Sequence, residues 1–308
     1  MRIVSLLPAA TEIVAALGRA DWLVGVSHEC DFPAEAAARP RVTRCLFDAA
    51  GLTSEEIDRR VAETLASSGT IYALDEPLLR ELAPELILTQ RLCDVCAVGY
   101  GSVARMAAHL PGPPAIVNLE PSSLADVLRD IRTIAAAIGD PASGERVVAK
   151  LEERIGAIRQ RTQTAEHRPR CFLMEWIDPP YSAGHWNPEL VAIAGGDEAL
   201  GRPGQDSARL EWDRVRETQP EVIVLSCCGY SIERTRRDLP ILKSYPGWSD
   251  LPAVRDGRVY AVDGNAYFTR PGPRLVEGLE ILAGVLHPAL FSEFAPERWP
   301  AAAVARIG

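Results

Sequence analysis

Gly139-Asp140-Pro141-Ala142-Ser143-Gly144-Glu145-Arg146-Val147-Val148-Ala149-Lys150-Leu151-Glu152-Glu153-Arg154-Ile155-Gly156-Ala157-Ile158, running on to Gln163, is the stretch whose reading decides the fold. Gly139 can end one helix and Pro141 can start the next. Val147, Val148, Leu151, Ile155 and Ile158 then recur at helical spacing, with Glu152, Glu153, Arg154 and Arg161 interspersed. A helix from Ala142 to Gln163 spans about 33 Å at 1.5 Å per residue. Before the break, Leu124, Val127, Leu128, Ile131, Ile134 and Ile138 mark one face of another helix. After it, Glu166-His167-Arg168-Pro169 reads as a linker, and a strand begins at Arg170.

On both sides, short apolar runs alternate with helical periodicity. The predicted strands are Ile3–Leu7, Leu23–Ser27, Leu86–Thr89 and Ala115–Leu119, then Cys171–Glu175, Val222–Ser226 and Arg258–Val262. They are rich in Val, Ile and Leu without polar alternation, as parallel strands covered on both faces are. Thr11–Leu17, Ser54–Leu65, Pro77–Leu82, Pro188–Ala194 and Arg274–Leu286 read as helices. The expected class is α/β: two α/β lobes with mostly parallel sheets, joined by one long helix. The expected divisions are a lobe at 1–119, a linking helical segment at 120–167, a second lobe at 168–290 and a tail at 291–308.

Two internal echoes suggest that the lobes are alike. Glu81-Leu82-Ala83-Pro84-Glu85-Leu86-Ile87-Leu88 matches Glu217-Thr218-Gln219-Pro220-Glu221-Val222-Ile223-Val224 in its Glu-x-x-Pro-Glu core and apolar run. Glu12 to Gly18 resembles Glu189 to Gly195. Each echo follows the first predicted strand of its lobe.

The 308 residues carry 33 Lys+Arg against 42 Asp+Glu, a formal net charge of −9. An acidic chain argues against nucleic acid as a partner, which needs a basic patch to neutralise phosphates. No apolar run approaches the roughly 20 residues that span a bilayer, so no membrane insertion is expected. The first strand begins at Ile3, before any leader could be accommodated, and the seven cysteines are an odd number without framework spacing. As written, the chain reads as cytoplasmic, and as periplasmic if a leader precedes it.

Ligands of parallel sheets bind beyond the carboxyl ends of the strands. The chemistry-bearing residues gather there. Pro8 follows the first strand, and His28 and Cys30 follow the second. Cys93 and Cys96 follow Thr89. In the second lobe come Trp176, Tyr181, His185 and Trp186, then Cys227, Cys228 and Tyr230, then Asn265, Tyr267 and Arg270, with Trp212 as a further cleft residue. Six Trp and Tyr side chains on predicted loops suit a pocket for a large, partly planar ligand. A second reading is a zinc or other transition-metal site from Cys93 and Cys96, whose spacing lets two thiolates share an ion, completed by His28, Cys30, His185 or Cys228. A third is thiol redox chemistry at the same Cys93–Cys96 pair. Neither a Gly-x-Ser-x-Gly motif nor a phosphate-binding Gly-rich loop occurs.

Arg2-Ile3-Val4-Ser5-Leu6-Leu7-Pro8-Ala9-Ala10-Thr11-Glu12, followed by Val24-Gly25-Val26-Ser27, resembles the start of the cobalamin and iron–siderophore substrate-binding proteins of ABC importers. Ile177-Asp178-Pro179-Pro180-Tyr181-Ser182-Ala183-Gly184 and the stretch Asn265-Ala266-Tyr267-Phe268-x-Arg270-Pro271-Gly272-Pro273-Arg274 are similar to cobalamin-binding members. The resemblance covers roughly residues 1–290. It implies two Rossmann-like lobes in the helical-backbone architecture of class III substrate-binding proteins, capture of a small metal chelate such as a corrinoid between the lobes, and no catalysis. It also implies an ABC permease as partner if the protein is exported, docked in periplasmic relatives through acidic residues on each lobe. Pro8, Tyr181 and Trp212 carry over at matching motif positions. His28, Cys30, Cys93, Cys96, His185 and Cys228 rest on the strand-end argument alone, and an imidazole or thiolate among them would suit axial ligation of the cobalt of a corrinoid. The alternatives are a free transition-metal ion held by Cys and His, or a thiol or chelatase-type enzyme using the same cleft.

Overall fold

The computed structural model describes residues 1–90 and 100–307. Its contacts divide the chain into two compact units. Unit 1 comprises Met1–Leu52, Glu56–Pro121 and Ala125–Lys150, and unit 2 comprises Thr53–Glu55, Ser122–Leu124 and the chain from Leu151 onward.

Unit 1 is built on strands β1 (Ile3–Ser5), β2 (Leu23–Val26), β3 (Thr43–Cys45), β4 (Tyr72–Leu74), β5 (Leu86–Gln90) and β6 (Ala115–Leu119). Four of them form a sheet in the order β2-β1-β5-β6, parallel throughout. Apolar runs mark these four in the sequence; Ile3, Val4, Leu23, Val26, Ile87 and Leu88 of β1, β2 and β5 are all inaccessible, while edge strand β6 buries only Leu119 fully. β3 and β4 pair antiparallel as a separate two-stranded sheet. They carry partly exposed residues such as Arg44 and Tyr72, which left no apolar run to read.

Unit 2 contains β7 (Arg170–Trp176), β8 (Tyr181–Ser182), β9 (Asp197–Glu198), β10 (Val222–Leu225), β11 (Val259–Val262) and β12 (Val304–Arg306). The order is β12-β11-β10-β7-β8, with β9 also on β7. β7, β10 and β11 are parallel, while β8 and β12 run antiparallel at the two sides. From β7 the chain first visits β8 and β9 on one side and then β10 and β11 on the other. That makes β7 the topological switch point of this sheet, the place where open parallel sheets take ligands. The tail after Pro288 packs into the unit through β12, which pairs Val262 with Val304.

The long helix is present as Pro141–Thr162, 22 residues without interruption. Its residues through Lys150 group with unit 1 and those from Leu151 with unit 2. Asp140 caps its start: the Ser143 amide donates to Asp140 Oδ1 at 3.1 Å.

Both echoes are structural. Pro84 and Pro220 each follow a helix whose C-cap residue, Ala83 or Gln219, is left-handed at φ 39° and 47°. Beyond each, a glutamate locks onto the residue that opens the central strand. The Arg2 and Arg170 amides donate to Glu85 Oε2 (2.7 Å) and Glu221 Oε2 (3.0 Å). In return the Glu85 and Glu221 amides donate to the Arg2 and Arg170 carbonyls, both at 2.8 Å. The helices Pro8–Ala16 and Asn187–Ile193 likewise end in the same Schellman closure, at Gly18 (φ +75°) and Gly195 (φ +84°). A residue with a Cβ would be strained at either position.

Candidate functional site

Three adjacent strands of unit 2 deliver the aromatic residues to one edge. β7 ends at Trp176, whose cross-strand partner in the β7–β8 ladder is Tyr181. The loop after β10 brings Tyr230 against Trp176, with ring centroids 4.8 Å apart at 51°. The loop after β11 joins them, since the Asn265 amide donates to the Tyr230 carbonyl at 3.4 Å and Arg270 Nη2 donates to Asn265 Oδ1 at 3.0 Å. Trp176, Tyr181, Tyr230, Asn265 and Arg270 are thus connected by direct contact. Trp176, Tyr181 and Asn265 are half-buried, and Tyr230 and Arg270 are buried. Arg234 lies over the Tyr230 ring at 4.2 Å, donates to its hydroxyl at 2.9 Å, and pairs with buried Asp238 at 3.0 Å. Burial raises the Tyr230 phenol well above its ordinary range, so it is neutral and hydrogen-bonding at any working pH.

The other predicted residues of this unit have partners of their own. Trp186 is 4% exposed, donates to the Phe268 carbonyl at 2.8 Å and lies beside His185. His185 has φ +52° and its Nε2 is 3.1 Å from Asp206 Oδ1. Tyr267 is half-buried, edge-on to Trp299 of the tail at 6.2 Å, with Arg274 over its ring at 5.7 Å. Trp212 is 8% exposed. Its indole donates to the Pro246 carbonyl at 2.9 Å and its ring stacks on Tyr245 at 4.6 Å and 15°. Tyr245 follows a helix rather than a strand, so a search of strand ends passes over it.

Beneath the edge lie two buried carboxylates. Glu175 accepts from the Gly184 amide and Asn187 Nδ2 at 2.9 and 2.7 Å, and burial raises its carboxyl above the usual range. Glu198 is raised by burial to about 7, against the pull of three amides, those of Gly201, Leu173 and Leu200. Both hold loop backbone.

In unit 1, Pro8 is the first residue of the helix after β1 and is half-buried. His28 Nδ1 is 2.7 Å from the Thr43 hydroxyl, its Nε2 3.2 Å from Glu29 Oε1, and its ring 5.2 Å from Tyr72. The Thr43 hydroxyl in turn donates to Ser27 Oγ at 3.3 Å. Arg41 Nη1 donates to the carbonyls of Ser27 and Cys30.

Among the described residues no three His, Cys, Asp or Glu side chains are placed to hold a metal ion. His28, Cys30 and Cys228 form no such group among the described residues. Cys30 is fully buried with its Sγ 3.1 Å from the Thr11 hydroxyl, whereas Cys228 is exposed and belongs to the other unit. Burial pushes the thiol of the neighbouring Cys227 well up, away from a thiolate. Cys93 and Cys96, with the metal and redox readings placed on them, lie outside the described residues. Cavities of about 280 Å³ beside Arg159 and Glu189 and about 470 Å³ beside Arg80 and His109 are lined by none of the predicted site residues. No helix among the described residues is long and apolar enough to cross a membrane.

Relatives give the edge its context. A substrate-binding lipoprotein of an ABC transporter, YvrC of Bacillus subtilis, is 24% identical over 95% of this chain and 82% of its own. A vitamin B12-binding protein of Vibrio cholerae is 25% identical, covering 91% of this chain and 86% of its own. The apo structure of the periplasmic heme-binding protein RhuT of Roseiflexus superposes with a TM-score of 0.69 at 26% identity, over 94% of this chain and 98% of that one. The α/β architecture with mostly parallel sheets is shared with it. The cytoplasmic expectation finds no support in these relatives. The family model for periplasmic binding proteins matches residues 106–266, more than half of the 308 residues. This chain belongs to the periplasmic binding protein family, whose members bind solutes rather than transform them.

Proposed function

We propose that the protein is the substrate-binding component of an ABC importer and that its ligand is a corrinoid of the cobalamin type. The relatives named for vitamin B12 and for an ABC transporter support the class, and the connected edge of unit 2 supports the ligand. The observation that carries the reading is the Trp176–Tyr230 pair flanked by Asn265 and Arg270. Flat rings cover the faces of a macrocycle, while amide and guanidinium groups answer its peripheral carboxamides. Tyr181 and Tyr267 extend that surface, with His185, Trp186 and Trp212 behind it. Pro8 and His28 are the corresponding candidates in unit 1. The His28 imidazole is the side chain of unit 1 whose chemistry would suit axial ligation of a metal chelate. Export to the cell surface or periplasm follows from the same reading, with a permease as partner.

Haem is the second reading, favoured by the likeness to RhuT. Titration of the purified protein with cyanocobalamin and, separately, with hemin tests both. Saturable one-to-one binding of cyanocobalamin is expected. Binding of hemin alone would replace the corrinoid with haem, and binding of neither would remove the chelate reading.

A further inference from the structure

The loop that joins β7 to β8 presents Trp176 and Tyr181, and it is held from behind by residues that no strand-end argument singles out. Tyr245 closes the helix Ile232–Ser244, with its amide on the Leu242 carbonyl. Its hydroxyl lies 3.0 Å from the Ile177 carbonyl and 3.3 Å from Asp178 Oδ1, donating to one or the other. A phenol carries one hydrogen, so the two acceptors share it, and both belong to the same turn of the loop. Asp178 passes the constraint on, because its carbonyl accepts from Trp176 Nε1 at 3.1 Å. The same indole nitrogen also donates to the Ser54 carbonyl at 3.2 Å.

Tyr245 is itself fixed. Its ring stacks on Trp212, whose indole is pinned by the Pro246 carbonyl and whose far side meets Trp248 at 6.1 Å. Trp212 begins the helix that follows a backbone zipper to the same loop: the Leu210 amide donates to the Pro180 carbonyl at 2.8 Å, and the Ser182 amide to the Ala208 carbonyl at 2.9 Å. The loop is therefore gripped along one side by backbone and at its turn by one phenol.

We propose that Tyr245 is a positioning residue of the binding edge. Its hydroxyl sets the turn at Ile177-Asp178, and through Asp178 it sets the orientation of the Trp176 indole, so that the ring reaches a ligand without rearrangement. Trp212 serves as the platform for Tyr245 rather than as a ligand-facing ring. The consequence for binding rests on the function proposed above, whereas the consequence for the loop does not.

The test is Tyr245→Phe, which keeps the stack on Trp212 and removes only the hydroxyl. Hydrogen exchange is measured on the ligand-free protein, and cyanocobalamin is the binding probe. Exchange of the amides at 177–182 is expected to accelerate about tenfold while β10 amides keep their protection. The dissociation constant for cyanocobalamin is expected to rise about tenfold through faster dissociation. Tyr245→Leu, which removes the stack as well, is expected to exceed both changes. Unchanged exchange at 177–182 in Tyr245→Phe overturns the positioning role, whatever the probe does. Accelerated exchange with unchanged affinity, in a protein that binds the probe, overturns the link from loop to ligand. If the unaltered protein does not bind cyanocobalamin, the proposed ligand fails while exchange still decides the role of Tyr245.

Discussion

Both units open their central strand with the same latch, yet the two latches stand in different surroundings. In unit 1, Glu85 holds the Arg2 amide and its side chain is 60% exposed. In unit 2, Glu221 holds the Arg170 amide at 25% exposure, with His167 Nε2 at 2.9 Å and the Arg170 guanidinium at 3.3 Å. The shared Glu-x-x-Pro-Glu pattern dictates backbone geometry. Burial and charge around that backbone are set unit by unit. The same holds at the strand ends, where among the described residues unit 2 pairs Trp176 with Tyr230 and unit 1 pairs His28 with Tyr72.

Buried acids sharpen the contrast most. Burial raises Asp130 of unit 1 and Glu198 of unit 2 to about 7 each. Both folded values exceed the unfolded ones, so each contributes stability that is complete below about pH 4 and is lost as the pH rises through about 7. At 1.36 kcal/mol per pH unit, that loss is at most about 3–4 kcal/mol per residue. Their partners differ. Asp130 Oδ2 has no hydrogen-bond partner among the described residues, whereas Glu198 accepts three amides. Urea titrations at pH 5 and pH 8 are expected to show Asp130→Asn raising stability at pH 8 by about 2 kcal/mol and flattening the pH dependence. Glu198→Gln is expected to lower it, by about 2 kcal/mol at pH 8, because its amide nitrogen would face the Leu173 N–H. Equal signs for the two variants would break the contrast.

The ligand edge comes next. Trp176→Ala is expected to weaken cyanocobalamin binding about 30-fold in a titration, and Pro8→Ala in unit 1 less than about threefold. Reversal of that order would move the main binding surface to unit 1.

The long helix carries the contrast within itself. Its Arg154 forms a bidentate pair with Glu280, 11% exposed, at 2.8 Å on both oxygens. Glu145, nearer its start, pairs with Arg132 at 64% and 39% exposure. Arg154→Ala strands a buried carboxylate and is expected to destabilise by about 2 kcal/mol in thermal unfolding. Arg132→Ala is expected to change stability by less than about 0.5 kcal/mol.

The latches themselves give the smallest effect. For Glu221, burial raises the carboxyl, but the Arg170 amide, His167 and the Arg170 charge outweigh it, and the net shift is downward. Its contribution is present above the unfolded value of 4.5 and is lost as the pH falls through the lower folded value. Glu221→Gln is expected to cost about 1 kcal/mol at pH 7 and little at pH 3, and Glu85→Gln a few tenths at pH 7. Equal losses in chemical denaturation would show that the shared backbone bonds, not their surroundings, carry the energy.

The long helix, the parallel strands and both echoes were legible because each leaves a local mark. Apolar periodicity located Pro141–Thr162 within a residue at either end, and short, mostly apolar runs located β1, β2, β5, β6, β7, β10 and β11. β8 and β9, two residues each, have no period to detect. β12 lies in a tail whose pairing with β11 is a long-range event. The strand-end rule led to Trp176, Tyr181, Tyr230, Asn265 and Arg270, which the fold brings into contact. It could not tell which rings pack on one another: Trp176 meets Tyr230, whereas Trp212 stacks on Tyr245.

By itself the amino-acid sequence determined the α/β class, the long helix, the duplicated latch and the edge at which chemistry gathers. These depend on contacts between near neighbours or on one residue's own preference. Tertiary structure alone decided which of those residues meet. Cys30 and Cys228 belong to different units, Tyr245 reaches a loop 67 residues away from it in the chain, and the acids of near-equal pKa differ in their partners. Spacing along a chain fixes periodicity, whereas burial and hydrogen bonding across it depend on which segments the packed core brings together.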